Sequence, residues 1–174
     1  MLRGLVIALA VVVGVVAYLA TSGGDDEEPA AAPQAGEARV LSEEELADVA
    51  STTAHPVYWA GPIPDTELEL TEEDGSVLVR YLQEGDEVGT AFGRRVAVGS
   101  YALPNPRKAL NAFAQAPGAT VQKVPDIGRV VISPEAQRNV YFVDPDNEVQ
   151  VEVYAPSAQQ AIDLVRSGQV VPVG

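Results

Sequence analysis

Between Gly4 and Gly24 no side chain carries a charge, and Leu5 to Ala20 is apolar apart from the Tyr18 hydroxyl. Beyond Arg39 the pattern changes to short segments whose apolar positions recur at strand or helix spacing. Coiled as a helix, the first segment rises about 31 Å, close to the hydrocarbon thickness of a bilayer. Tyr18 lies near one end, where an amphipathic ring rests at the interface. Arg3 precedes the run, while Asp25, Asp26, Glu27 and Glu28 follow it. Positive flanks are retained on the cytoplasmic side, so the N-terminus is expected inside and the rest of the chain outside. Residues 1–21 therefore read as a single-pass transmembrane helix, with membrane contact through residues 4–24. The same run also reads as a cleaved signal peptide, since Ala20-Thr-Ser22 offers small residues at a cleavage spacing, and the domain would then be secreted. Its length exceeds the usual signal-peptide core, which favours the retained anchor.

Residues 22–38 are rich in Gly, Asp, Glu, Pro and Ala and hold no large apolar side chain. Such a segment has nothing to bury against its ordering entropy, so it is expected to be a disordered acidic linker. The extracytoplasmic domain is then residues 39–174. Ser42 with Glu45 three residues on forms a capping box, and Leu41 with Leu46 a hydrophobic staple, so a helix starts there. It ends before the extended His55-Pro56 pair.

Short β-rich runs follow at Val57–Ala60, Glu67–Thr71, Ser76–Leu82 and Arg95–Tyr101, separated by Gly, Pro and Asp breakers. Asn105 as cap and Pro106 at the first position predict a helix with Ala109, Leu110 and Phe113 on its apolar stripe, ended by Pro117-Gly118. The second half reads similarly, with strands at Thr120–Val124, Arg129–Ser133, Val140–Val143 and Glu148–Tyr154. A helix capped by Ser157 follows and ends at Gly168. Val96-x-Val98-x-x-Tyr101-Ala102 matches Val149-x-Val151-x-x-Tyr154-Ala155, an offset of 53 residues at the tyrosines. The pattern admits a duplication into two ββββα halves. With or without it, the domain is α+β, a mostly antiparallel sheet with two or three helices.

Charge narrows the functions. The chain carries 25 acidic and 11 basic residues, a formal charge of −14, and every acid lies after residue 24. An acidic surface with no basic stripe repels phosphates, which argues against nucleic-acid binding. The absence of cysteine removes disulfides, thiolate metal sites, a cysteine nucleophile and a lipid-modified cysteine anchor.

Candidate chemistry is sparse. His55, the one histidine, has no Cys or nucleophile motif to work with and reads as a residue at a helix-to-strand turn. Tyr58 and Trp59 fall on opposite faces of one strand, so one is expected buried and the other at least half exposed. Arg94 and Arg95 form the one basic doublet, able to receive an anion or to guard a strand edge. Asp144, Asp146 and Glu148 alternate like the opening of a calcium loop. Val149 and Ala155, however, stand where such a loop needs glycine and glutamate. Pro-Asp-Asn between apolar runs is also ordinary turn chemistry. The acids Glu72, Glu73 and Asp74, and Glu84, Asp86 and Glu87, cluster at predicted turns, where carboxylate catalysis would need two of them to converge.

The stretches His55-Pro-Val-Tyr-Trp-Ala-Gly-Pro62, Glu67-Leu-Glu-Leu-Thr71, Val77-x-Val-Arg-Tyr-Leu82 and Val149-Gln-Val-Glu-Val-Tyr154 precede a closing Ser-Gly-x-Val-Val-Pro-Val at 167–173. Together they resemble uncharacterised single-pass membrane-anchored proteins of high-GC, actinobacterial-type bacteria over most of residues 41–173. The resemblance implies a cell-envelope location and no activity. The bias of nine arginines over two lysines accords with such a genome. The reading that follows is a membrane-tethered extracytoplasmic binding or interaction domain, without catalytic machinery or cofactor, whose partner is an envelope protein or a small ligand. The alternative is a carboxylate-dependent cell-envelope hydrolase. A third reading, calcium-stabilised folding through Asp144, Asp146 and Glu148, predicts a calcium-dependent rise in melting temperature.

Overall fold

The computed structural model describes residues 38–89, 95–134 and 136–174; the predicted anchor and all but the last residue of the predicted linker lie outside them. Among the described residues no helix is long and apolar enough to cross a membrane. In chain order the elements are β1 (Arg39–Leu41), α1 (Glu43–Thr52), β2 (Tyr58–Trp59), β3 (Glu67–Glu73), β4 (Ser76–Leu82) and β5 (Ala97–Tyr101). They continue with α2 (Pro106–Gln115), β6 (Thr120–Val124), β7 (Gly128–Ser133), β8 (Ala136–Val143), β9 (Gln150–Tyr154), α3 (Ala158–Arg166) and β10 (Val171–Pro172). Eight strands form one antiparallel sheet in the order β1-β3-β4-β5-β9-β8-β7-β6, and β2 pairs with β10 in a separate ribbon. This is the mostly antiparallel α+β domain expected, with three helices.

Local chemistry places the elements. Ser42 accepts from the Glu45 N–H while the Glu45 carboxylate accepts from the Ser42 N–H at 2.7 Å, so the predicted capping box starts α1. Asp74 and Gly75 both adopt positive φ, +48° and +76°, between the facing residues Glu73 and Ser76. That is the two-residue turn whose twist suits an antiparallel hairpin, and it fixes the β3–β4 register. At α2 the cap differs from expectation. The Asn105 side chain makes no cap bond, and its backbone carbonyl accepts from Lys108 and Ala109 instead. Pro106 already removes one of the orphan donors at that end.

Both faces of the sheet are covered, for different reasons. One face carries Leu70, Val79, Val98, Val151, Val153 and Phe142, packed against Leu46 of α1, against Ile162 and Val165 of α3, and against Val57 and Tyr58. On the other face α2 sets Leu110 against Val131, Tyr141 and Val143. Towards β3 and β4 that second face holds an ion pair, Arg80 to Glu69 at 2.5 Å, both side chains under 5% exposed. The backbone N–H of Gly89 also donates to Glu69 at 2.8 Å, so residues 83–89 fold back over the pair. Removing one partner of such a buried pair costs about 3–5 kcal/mol, because the other charge is then stranded.

Candidate functional site

A partly enclosed cleft of about 280 Å³ lies between α3, the start of β5 and the 61–66 segment. Ile63, Pro64, Val96 and Leu164 supply apolar walls, and Thr66, Gln83, Gln160 and Gln169 supply hydroxyl and amide groups. Its 61–66 wall is tied to the sheet through a residue that also lines the cleft. Tyr81, on β4, accepts from the Ala60 N–H and donates to the Gly61 carbonyl, each at 2.8 Å, and so fixes the base of the 61–66 segment. Gly61 adopts φ +61°, and Thr66 donates back to the Ile63 carbonyl at 2.7 Å. Pro62 and Pro64 remove further backbone freedom from that wall. Burial lifts the Tyr81 phenol above its ordinary value, so it remains a neutral hydroxyl at any physiological pH.

Arg95 stands at the cleft rim, held there by Asp86. Its Nε and Nη2 both donate to the Asp86 carboxylate, and the Gln83 N–H donates to the same group at 2.7 Å. The guanidinium hydrogen bond holds the Asp86 carboxyl down at about 2. The basic doublet singled out from the sequence is thus half placed, with Arg95 in a fork-to-fork pair and Arg94 outside the described residues.

The other sequence-derived candidates lie elsewhere. His55 ties a turn to a hairpin tip, its ring nitrogens 2.9 Å from the Pro56 carbonyl oxygen and 2.7 Å from that of Gly75. Tyr58 is buried and Trp59 half-buried against the core, as opposite faces of one strand require. The Tyr58 hydroxyl donates to Asp144 at 2.5 Å, its ring meets Phe142 edge-on, and burial followed by that hydrogen bond raises its phenol. Asp144 is therefore no surface turn residue. Burial opposes its charge, but hydrogen bonds from Tyr58, Asn147 and the Asp146 N–H hold its carboxyl below the usual range. Glu148 points to Arg107 across 3.4 Å at φ +51°. No cluster of three His, Cys, Asp or Glu suited to a metal forms among the described residues, and Asp144, Asp146 and Glu148 do not converge.

The acids at predicted turns do not converge either. Glu73 ends β3 and Asp74 lies in the turn before β4, while Glu84, Asp86 and Glu87 lie beyond the far end of β4. Seven strand residues separate the two groups by roughly 23 Å. Glu72 pairs with Arg39 at the sheet edge.

Sequence reasoning missed a sealed polar cluster at the centre of the sheet. Glu152 accepts from Tyr101 at 2.7 Å, from Tyr141 at 2.8 Å and from the Asn139 amide. Burial raises its carboxyl above the ordinary value, against the pull of those three donors. Beside it the wholly buried Gln150 has neither amide atom hydrogen-bonded. Tyr141 shares a face with Asn139, and Tyr154 with Gln150 and Glu152, which is the signal the sequence offers; Tyr101 shares its face only with Ala97 and Gly99.

No family model, no curated protein and no solved structure matches this chain.

Proposed function

We propose that the protein is a membrane-tethered binding domain of the cell envelope, held outside the cell by residues 4–24 and taking its ligand in the cleft between α3 and the 61–66 segment. The observation that carries this reading is the cleft's preformed wall, fixed by Tyr81 and two prolines and presenting amide and hydroxyl groups among apolar ones. That mixture suits an uncharged amphipathic group, such as a small molecule or one or two side chains of a partner protein. The separation of the acidic turns along β4 speaks against the hydrolase alternative. The charge-free run and its flanks, Arg3 before and Asp25–Glu28 after, support the tether and its direction.

A photo-cross-linking residue at Gln169 or Gln160 of the full chain, in native membranes, tests the cleft. The expected result is one discrete adduct that Leu164→Arg removes, since a charge there fills the apolar wall. Absence of any adduct from either position, or adducts indifferent to Leu164→Arg, would sink the proposal.

We infer further that the domain arose as two ββββα halves. The offset of 53 carries β5 onto β9, Ala97 onto Gln150 and Tyr101 onto Tyr154, and these two strands pair with one another. Gly99 and Glu152 face each other at the midpoint of this register. Outside β5 and β9 the offset is 63 rather than 53: Val79 faces Val98 as Phe142 faces Val151, the step being 19 residues from β4 to β5 against 9 from β8 to β9.

A further inference from the structure

The charge on the sheet is unevenly spread. Residues 38–89 carry thirteen acidic and two basic side chains, while residues 95–174 carry seven of each. The strand order sets β1 and β3 at one edge of the sheet and β7 and β6 at the other. As the last strand, β6 turns alternate backbone N–H and C=O groups away from its neighbour, an open template for another chain. Lys123 stands directly opposite Arg129, a like-charge cross-strand pair that works against the fold. Arg129 donates to the Asn111 amide of α2, and Arg166 of α3 donates to the Gln122 amide. Both partners are neutral. None of Lys123, Arg129 and Arg166 is ion-paired among the described residues, although Asp126 and Asp163 are close along the chain. Val121 shares the face of Lys123 and is 46% exposed.

Protection of an edge against aggregation needs a charge of either sign. A chain that uses acid over base by 25 to 11 nevertheless spends bases here, and no carboxylate among the described residues forms an ion pair with them. We propose that the β6 edge accepts an extended acidic segment of a partner polypeptide as a further antiparallel or parallel strand. Its backbone would pair with Thr120–Val124, its carboxylates would meet Lys123 and Arg129 on one face and Arg166 on the other, and an apolar side chain would cover Val121. This surface is separate from the cleft and stands whether or not the cleft binds a ligand.

The test uses the full chain in detergent micelles and a fluorescent peptide that, when extended, carries glutamates on both faces and one valine among them, with the same peptide bearing lysine for glutamate as control. Binding of the acidic peptide alone is expected, weakening with added salt and by at least about tenfold in Lys123→Glu. The same substitution places an acid opposite Arg129, so the melting temperature should rise as binding falls, which separates lost recognition from misfolding. Hydrogen exchange should slow across residues 120–124 when the peptide is present. No binding, equal binding of the lysine peptide, or protection confined to other strands overturns the proposal. Self-association through β6, abolished by Lys123→Glu, would also overturn it and assign the edge to a second copy.

Discussion

Glu152 sits among three hydrogen-bond donors, Tyr101, Tyr141 and Asn139, all of them neutral. Without a cation to offset desolvation, burial wins and the folded carboxyl lies above the unfolded value of about 4.3. The folded state therefore holds this proton more tightly than the unfolded chain does. Its contribution to stability is full below about pH 4.3 and is lost as pH rises through the folded value. Denaturant unfolding across a pH series should show Glu152→Gln gaining on the wild type as pH rises from about 4.3 through the folded value. Parallel curves would mean that the three donors cancel the effect of burial. Gly99, directly across from Glu152, is required by the same cluster. A methyl group there would fall onto the Tyr101 hydroxyl that reaches over it to the carboxylate.

The connection from β4 to β5 illustrates how an element is held by electrostatics. Asp86 binds Arg95 and the Gln83 N–H, closing the end of the connection, while Gly89 is tied to Glu69. With the Asp86 carboxyl at about 2 in the folded state and about 3.9 unfolded, its contribution is full above pH 4. It is lost as pH falls from about 4 to 2, and solvent screening leaves it on the order of 1 kcal/mol. Arg95→Met should remove that acid sensitivity, measured as the difference in unfolding free energy between pH 5 and pH 2.5 (roughly the window's two sides). Persistence of the full acid slope in the variant would place its origin elsewhere. Sequence spacing located most of these elements within a few residues, because alternation and turn chemistry agree at Asp74-Gly75 and at Ser42-Glu45. It missed β1 and β10, which at three and two residues are too short to show a period. The alternation of Val149-x-Val151-x-Val153 also gave no sign that both faces of β9 are covered. The intervening Gln150 and Glu152 are buried because α2 packs on the opposite side, a tertiary fact no local window contains. The burial of Asp144 was hidden likewise, since its partner Tyr58 is 86 residues away.

At the scale of the molecule the sheet is graded from centre to edge. β5 and β9 are flanked by strands on both sides, while β1 and β6 each have one neighbour and β2 with β10 form a short ribbon. Native-state hydrogen exchange should follow that order, with β5 and β9 amides exchanging last and those of β1, β6 and β10 first. Uniform protection across all strands would mean that the domain opens only as a whole. The pairing of β5 with β9 has one more implication. A residue that faces its own counterpart across a twofold has no choice of neighbour, since whatever one half places there the other must place too. Two glutamates at that point would set like charges side by side in the core, and two glycines would leave both Tyr101-type hydroxyls without an acceptor. One glycine and one glutamate satisfy the site. On the proposed duplication, two copies of either half alone could not reproduce this centre, and the unequal pair Gly99–Glu152 makes the halves mutually dependent.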